Sequence, residues 1–307
     1  MNELHDDKIA SRAALSRRRL LAGAGAVLLA GAGGGVWRAE AAGLFDLGQG
    51  PAYAPWTTWR GDGLDGPLAL VPAAMLAANA HNTQPWRYRA ETDRIDLFAD
   101  RTRGIGAVDP DAREMEISLG CALENLHLAA GAHGYDDRLT LAPDGPNGAR
   151  VATIELTAGA ANASPLYAAI PRRHTNRYDY DVARPLPSAT LDALAALVDD
   201  PATRVVWFSS PGDRERVSRL LVNAAAAIDA DPEQAADNGE RWLRLDRDAI
   251  ERHRDGLTLN AMGLSEFDLV AAEMVPILAQ SGSGGFADME RRWTTTAAAY
   301  GIVAIRV

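Results

Sequence analysis

The spacing of apolar residues predicts one long helix in the first half of the chain. The stretch runs from 115 to 130 and is followed by Gly134, a residue typical of helix ends. Asp109, shortly before it, is expected to cap the helix. Its apolar positions, three and four residues apart, are Met115, Leu119, Ala122, Leu126 and Ala129.

Short segments around this helix predict β-strands. Two of them, 86–88 and 95–98, precede the helix, and two alternating segments, 139–141 and 151–156, follow it. A further helical pattern covers 67–80. Helices and strands that mix in this order predict an α+β fold with an antiparallel sheet.

The second half of the chain repeats part of this order. Ser164 and Pro165 predict the start of a short helix that ends near Pro171, and Ser188 is expected to cap a helix over 188–198. The remaining predicted elements are a Trp-containing strand at 205–208, helices at 214–229, 234–245 and 265–278, and a buried strand at 299–307.

Both halves contain a helix, a loop and a Trp-containing strand in that order. The pattern therefore predicts two related modules fused in tandem, over residues 42–160 and 161–307. No counterpart of the 115–130 helix follows the last strand. Either the sequence is a fragment or the second module is shortened in nature.

Composition and charge narrow the classes of function. Of 307 residues, 47% are hydrophobic, which is ordinary for a soluble globular protein with one large core or two smaller ones. The net charge is -10 without a basic stripe, which argues against nucleic acid as a partner. Cys121 is the only cysteine and excludes an internal disulfide, a zinc cluster and CxxC chemistry; on an apolar helix it predicts a buried, inert thiol.

The first 41 residues have the pattern of an export signal. Arg17 and Arg18 precede a mildly apolar run, and Ala39 and Ala41 provide small residues for cleavage. The paired arginines resemble a twin-arginine signal, which predicts contact with the twin-arginine export machinery and a periplasmic or secreted protein. An uncleaved membrane anchor is the alternative.

Two polar clusters carry the candidate chemistry. His81, Asn82 and Gln84 lie in an amide-rich loop that enters a strand, and their donors and acceptors suit a flat heteroaromatic ring. Arg173 and Arg177 flank a hydroxyl-bearing segment, and paired guanidiniums suit a phosphate monoester. FMN has both a polar planar head and a phosphate tail.

Each cluster also has a structural interpretation. The amides could form only a hydrogen-bonded turn, and Trp86 is expected in the core rather than against a ligand. Arg173 and Arg177 could instead form surface ion pairs with Asp179 and Asp181.

Other chemistries find little support in the sequence. His127 and His133 lie six residues apart without a carboxylate at ligand spacing, so a metal site is not expected. We find no Ser/His/Asp elbow, Walker loop or paired-carboxylate motif. A cofactor that carries the chemistry itself agrees with this pattern.

Three segments in order resemble the nitroreductase superfamily. They are the loop 82–86 (NTQPW), the helix segment 120–126 (GCALENL) and the segment 173–177 (RHTNR). The export signal, the tandem halves and the His81-Asn82 variant are most similar to the Acg-like branch. The resemblance covers roughly residues 66 to 307.

The resemblance implies a nitroreductase-like α+β fold that binds FMN without a covalent bond. Ordinary members are homodimers with FMN between subunits, whereas Acg-like members fuse two modules, so we expect a monomer with an internal pseudo-dimer or a homodimer. By resemblance, Arg173, Thr175 and Arg177 hold the phosphate and ribityl end. The residues implied to line the isoalloxazine are Asn79, His81, Asn82 and Gln84.

The sequence departs from the family pattern at several points. Ala78 and Asn79 stand where the family often has Pro-Ser, and the helix expected after the last strand is missing. Acg-like proteins can also carry a segment that covers the flavin, and 255–285 is the candidate here.

The resemblance implies an FMN-dependent oxidoreductase that transfers hydride to a small acceptor such as a nitroaromatic or a quinone. No side chain stands out as a proton donor, so no catalytic residue is named. The alternatives are an exported flavin-binding or flavin-sequestering protein with little turnover, and a protein that has kept the fold but lost the cofactor.

Overall fold

The computed structural model describes residues 34, 37, 40, 48–146, 148–239, 241–263 and 285–306. The predicted export signal lies outside the described residues except at positions 34, 37 and 40, and so does the helix predicted at 265–278. No helix within the described ranges is both long and apolar enough to span a membrane.

Four antiparallel strands form the main sheet, in the order β1-β2-β4-β3. Trp86 pairs with Ala99 at one end of the β1–β2 hairpin, and Leu139 pairs with Ile154 in the β3–β4 hairpin. The sheet confirms the predicted α+β class with an antiparallel sheet. Its strands are β1 Trp86–Ala90, β2 Arg94–Ala99, β3 Tyr135–Leu141 and β4 Arg150–Ala158.

One long helix packs with this sheet in the principal core. It spans Arg113–Ala132, and its residues Leu119, Ala122 and Leu126 are almost wholly buried together with Ile95 and Ile154 of the sheet. Because these apolar residues meet on one side of the helix, the predicted spacing is confirmed. Trp86 is also buried in this core, as expected.

Nine helices are described along the chain. They are α1 Pro55–Thr58, α2 Val71–Ala74, α3 Arg113–Ala132, α4 Pro165–Ala169, α5 Ser188–Ala195, α6 Pro211–Ala230, α7 Pro232–Asn238, α8 Arg247–His253 and α9 Phe286–Thr296. Short 3₁₀ turns, among them Gly66–Leu70 and Ala80–Asn82, connect several of them.

The second half carries two small sheets among the described residues. β5 (Thr203–Phe208) pairs antiparallel with β8 (Tyr300–Ile305), and β6 (Leu243–Arg244) pairs in parallel with β7 (Leu257–Thr258). Helix α6 packs against α9. This arrangement differs from the four-stranded sheet of the first half, and the tandem relation of the two halves stays a prediction.

Several predicted elements are wrong in extent. The helix predicted over 67–80 is instead a 3₁₀ turn followed by the short helix α2. Because Pro72 has no N–H, a continuous α-helix would lack a hydrogen bond at this position. The helix predicted over 234–245 ends at Asn238, and the chain then extends into β6. The last strand was expected to be buried, but Ile302, Val303 and Ile305 are largely exposed.

Capping residues explain where other helices begin. Ser164 accepts a hydrogen bond from the Leu166 N–H, as predicted, but Pro187 rather than Ser188 occupies the cap of α5. Asp109 receives the N–H groups of Glu114 and Met115 at the start of α3 and confirms the predicted capping role.

Candidate functional site

The amide-rich loop has an unusual backbone. His81, Asn82 and Gln84 all adopt the left-handed region, with φ of 49°, 52° and 51°. This conformation is uncommon for residues with a side chain and costs energy that the surroundings must offset. Such strain is concentrated at binding sites, which makes the loop the first candidate.

Contacts within the first half of the chain hold the loop in place, some with helix α3 and some within the loop itself. Ser118 on α3 accepts a hydrogen bond from the Ala80 N–H at 3.1 Å, and buried Thr83 and Pro85 anchor the loop in the core. Asn79 accepts from the Gln84 N–H at 2.8 Å and donates to the Ala77 carbonyl at 3.0 Å. Asn79 therefore closes the loop on itself with both ends of its carboxamide.

The other three polar side chains of the loop contact the second half of the chain. His81 Nε2 lies 2.9 Å from the carbonyl oxygen of Asn238. Asn82 donates to the Gly256 carbonyl at 3.1 Å, and Gln84 donates to the Arg254 carbonyl at 2.6 Å. Each of the three loop residues with a left-handed backbone thus has a hydrogen-bond partner that is distant in sequence.

Asn82 and Gly256 are joined in both directions. The Gly256 N–H donates to the Asn82 carbonyl at 3.0 Å while the Asn82 side chain donates back. Gly256 has φ of +82°, and an added Cβ would lie 2.3 Å from the Trp242 carbonyl oxygen. Only glycine fits this backbone at such a close approach.

A buried ion cluster lies beside this contact. Asp255 pairs with Arg244 at 2.6 Å and with Arg103 at 3.0 Å, and the side chains of Asp255 and Arg244 are only 10% and 9% exposed. Arg103 also donates to the Thr83 carbonyl at 2.8 Å. One guanidinium therefore holds both the loop and the segment that faces it.

The arginine cluster lies close to the segment that leads into the loop. Arg173 donates to the Leu76 carbonyl at 3.2 Å, three residues before Asn79, and its other terminal nitrogen lies 3.5 Å from the Thr175 hydroxyl. The cluster and the amide loop, distant in sequence, are therefore neighbours in space.

Arg177 has a different environment. Its carbonyl accepts a hydrogen bond from the Trp293 indole N–H, and its side chain is half-buried. Within the described parts of the chain, the Arg177 guanidinium has no hydrogen bond or ion pair. Burial lowers the pKa of Arg177, because a guanidinium that is partly removed from water is less well stabilised in its charged form.

His81 lies within reach of the Arg177 charge. Burial is the main cause that lowers the pKa of His81, and repulsion from Arg177 lowers that pKa further, against the opposing hydrogen bonds with Asn238. His81 is therefore neutral near pH 7. The repulsion between His81 and Arg177 thus involves one residue of the amide-rich loop and one of the arginine cluster.

The surface-pairing interpretation of the arginines does not match the contacts of the two aspartates. Asp179 lies 3.5 Å from Arg292, and Asp181 accepts the Ala183 N–H in a turn. His174 stacks on Trp56, with ring centroids 4.6 Å apart, so it packs the cluster against the first half.

Cys121 on α3 is half-buried rather than fully buried as predicted. Burial raises the pKa of Cys121, which favours the unreactive protonated form. His127 pairs with Asp137 at 2.9 Å on the surface.

A cleft of about 620 Å³ opens beside the loop. Gln84, Trp86, Tyr88 and Arg103 line one part of it, and Leu68 and Met75 contribute apolar surface. A larger hollow of about 1070 Å³ lies in the second half, along α9 and the segment that begins at Asn176.

Sequence reasoning missed the residues that support the loop. Arg103 and Arg244 were not singled out, because nothing in their local sequence marks them as partners of the loop. Asp255 and Gly256 were noted only as part of the candidate covering segment. Arg254 and Gly256 contact the loop, 264–284 lies outside the described residues, and the covering role of 255–285 stays a prediction.

Part of the chain is similar to mycobacterial proteins. It is 35% identical over 130 residues to "Putative NAD(P)H nitroreductase Rv3131" of Mycobacterium tuberculosis, which covers 41% of this chain and 37% of that protein. It is 31% identical over 89 residues to "Putative NAD(P)H nitroreductase acg" of the same species, over 29% of this chain and 27% of that protein.

A third similar protein has no activity in its name. "Uncharacterized protein Rv3127" of M. tuberculosis is 34% identical over 125 residues, or 36% of each chain. The aligned parts thus span between 27% and 37% of the length of these curated relatives. The similarity supports a relationship to the nitroreductase superfamily. No family model matches the chain.

Proposed function

We propose that the chain binds FMN between its two halves and acts as a nitroreductase-like oxidoreductase. FMN, when bound, supplies the hydride chemistry, and the protein supplies binding, orientation and electrostatics. The acceptor class is a nitroaromatic, a quinone or a similar electron-poor small molecule. Both the cofactor and the acceptor are part of the proposal.

The unpaired guanidinium of Arg177 carries the proposal. Arg177 is half-buried, and within the described structure no acidic side chain pairs with its guanidinium, which leaves the charge available to an anionic ligand. A phosphate monoester suits this charge, since guanidinium–phosphate hydrogen bonds are charge-assisted and directional. Arg173 and the Thr175 hydroxyl lie beside each other on the same short segment and add donors.

The amide loop fits the other end of the cofactor. Asn82 remains exposed while its amide nitrogen bonds to Gly256, so its side-chain oxygen is available as an acceptor for a ring N–H. Gln84 lies at the mouth of the 620 Å³ cleft next to Trp86. Asn79 and His81 support this role by holding the loop's shape.

The names of the similar proteins favour a redox function. Two of them carry the words NAD(P)H nitroreductase, and reduced nicotinamides commonly deliver hydride to flavins. Under this proposal Arg173, Thr175 and Arg177 bind the phosphate end, and Asn79, His81, Asn82 and Gln84 form the ring end, with Asn82 and Gln84 in direct contact. We further propose a fused pseudo-dimeric site and export through the twin-arginine pathway.

Reduction and reoxidation of a reconstituted protein test the proposal. The chain is incubated with FMN, desalted, bleached with dithionite under argon, and then mixed with menadione or a nitroaromatic compound. We expect the flavin band to return faster than it does with free reduced FMN at the same concentration.

Two outcomes would contradict parts of the proposal. A protein that retains FMN but is not reoxidised by either acceptor would be a flavin-sequestering protein instead. A protein that retains no FMN would remove the cofactor assignment altogether.

A further inference from the structure

The three strained residues of the amide loop all contact the second half of the chain, one at the end of α7 and two just after α8. His81 contacts Asn238, Asn82 pairs with Gly256, and Gln84 bonds to the Arg254 carbonyl. A left-handed backbone at three of four consecutive positions needs such external support. The loop's shape is therefore set largely by the residues that face it.

One carboxylate organises the facing segment. Asp255 lies between Arg254 and Gly256, the two residues whose carbonyls receive the loop amides. Its Oδ1 accepts both Nε and Nη2 of Arg244, at 3.1 Å and 2.6 Å, and its Oδ2 accepts from Arg103 at 3.0 Å. Each carboxylate oxygen of Asp255 thus accepts hydrogen bonds from a different arginine.

Arg103 connects this carboxylate to the loop. Its Nη1 donates to Asp255 and also to the carbonyl of Thr83, the residue between Asn82 and Gln84. One side chain, that of Arg103, therefore connects Asp255 to the loop. Arg103 is 36% exposed whereas Asp255 is only 10% exposed, so losing this charge-assisted bond would leave the carboxylate poorly compensated.

We propose that Asp255 is a positioning residue for the ring-binding loop. Through Arg103 and Gly256 it holds Asn82 and Gln84 in the orientation that meets a flavin ring. This inference rests on the proposed function for its ligand, but the positioning itself is a property of the free protein.

The test uses Asp255→Asn, which keeps the size of the side chain and removes its charge. FMN and riboflavin are titrated by fluorescence quenching, and Arg103→Gln is measured in parallel. We expect each variant to raise the Kd of both flavins about tenfold, the loss for about one charge-assisted hydrogen bond. Asp288→Asn, in an exposed ion pair with Arg291 on α9, is the matched control and should change neither Kd.

A double-mutant cycle identifies the route of the effect. If Asp255 acts through Asn82, the Asp255→Asn change should cost little further affinity in an Asn82→Ala background. Additive losses in the double variant would show that Asp255 affects binding without positioning Asn82, and unchanged Kd values in Asp255→Asn would equally overturn the proposal.

Amide hydrogen exchange in the flavin-free protein separates this proposal from the cofactor assignment. Asp255→Asn and Arg103→Gln should both speed exchange of the Gly256 N–H, which bonds to the Asn82 carbonyl, while the Ile154 N–H in the main sheet stays protected. If wild type binds no flavin but this exchange changes, the positioning holds and the cofactor assignment fails. Unchanged exchange at Gly256 in both variants would overturn the positioning.

Discussion

Arg173 donates a hydrogen bond to the carbonyl oxygen of Leu76, 3.2 Å away and 97 positions earlier in the chain. This bond ties the arginine cluster of the second half to the backbone that leads into the amide loop of the first. Because the proposed FMN site has a phosphate end and a ring end, each end can be tested separately.

Removal of the arginines should weaken the phosphate end alone. We expect Arg177→Ala and Arg173→Ala each to reduce FMN affinity by about 1–3 kcal/mol, the range for a hydrogen bond to a charged group. Riboflavin, which has no phosphate, should lose much less affinity in Arg177→Ala. Fluorescence titration of both flavins measures the difference.

The matched control for this pair is Arg219→Ala, which removes an exposed arginine of α6 that pairs with Glu215. It should leave both affinities unchanged. Equal FMN affinity in wild type, Arg173→Ala and Arg177→Ala would remove the phosphate assignment.

Protonation of His81 should destabilise the protein below neutral pH. The pKa of His81 is lowered in the folded state, mainly by burial, so the unfolded chain binds more protons between that pKa and about 6.5. Unfolding free energy should therefore fall as pH drops through this window. Urea denaturation of wild type and His81→Gln from pH 8 to pH 5 should show a smaller acid loss in the variant.

His127 provides a control, because its effect on the pH dependence of stability is opposite to that of His81. Its hydrogen bond with Asp137 is the main cause that raises its pKa in the folded state, so its contribution to stability is present at low pH and lost as pH rises through that raised pKa. His127→Gln should thus destabilise the protein only at acid pH. Parallel pH profiles for the two variants would contradict the assignment of His81 as a buried neutral group.

Gly256 should not tolerate a side chain. Gly256→Ala places a Cβ 2.3 Å from the Trp242 carbonyl oxygen on a backbone with φ of +82°, and we expect a loss of about 1–3 kcal/mol in unfolding free energy. Chemical denaturation monitored by circular dichroism measures it.

Gly120 provides the comparison for that substitution. It lies on the exposed side of α3, and an added Cβ there meets nothing within 4 Å. Gly120→Ala should stabilise the protein by about 0.5–1 kcal/mol, as expected for glycine replaced in a helix interior. If both substitutions had the same effect, the close approach at Gly256 would not be the cause.

The local pattern predicted the first half of the fold well. Helix α3 and strands β2 and β4 follow from apolar spacing, because Leu119, Leu126, Ile95 and Ile154 form their buried faces. Strand β3 has no buried residue, and the leucines at 139 and 141 are exposed. The second half was harder. The stretch after Asn238 is helical in composition, yet the chain extends so that the Leu257 N–H can reach the Trp242 carbonyl at 2.7 Å.

The candidate site was predictable in its parts but not in its connections. Asn82, Gln84 and Arg177 could be chosen as candidate ligand-binding residues from the chemistry of their carboxamide and guanidinium groups alone. The support that Asp255 and Arg103 give is invisible locally, since Arg103 precedes Asp255 by 152 positions and their pairing depends on tertiary structure. The left-handed backbone of His81 and Asn82 has only a weak signal in the sequence, since His and Asn adopt positive φ more often than other non-glycine residues but usually do not.

The most direct test of the central claim is the amount of FMN that the purified chain retains. The protein is incubated with excess FMN and desalted, and the visible flavin absorbance is compared with protein concentration, with Arg177→Ala carried through the same steps. The account predicts one FMN per wild-type chain and clearly less in the variant. A colourless wild-type protein, or equal retention by both, would contradict it.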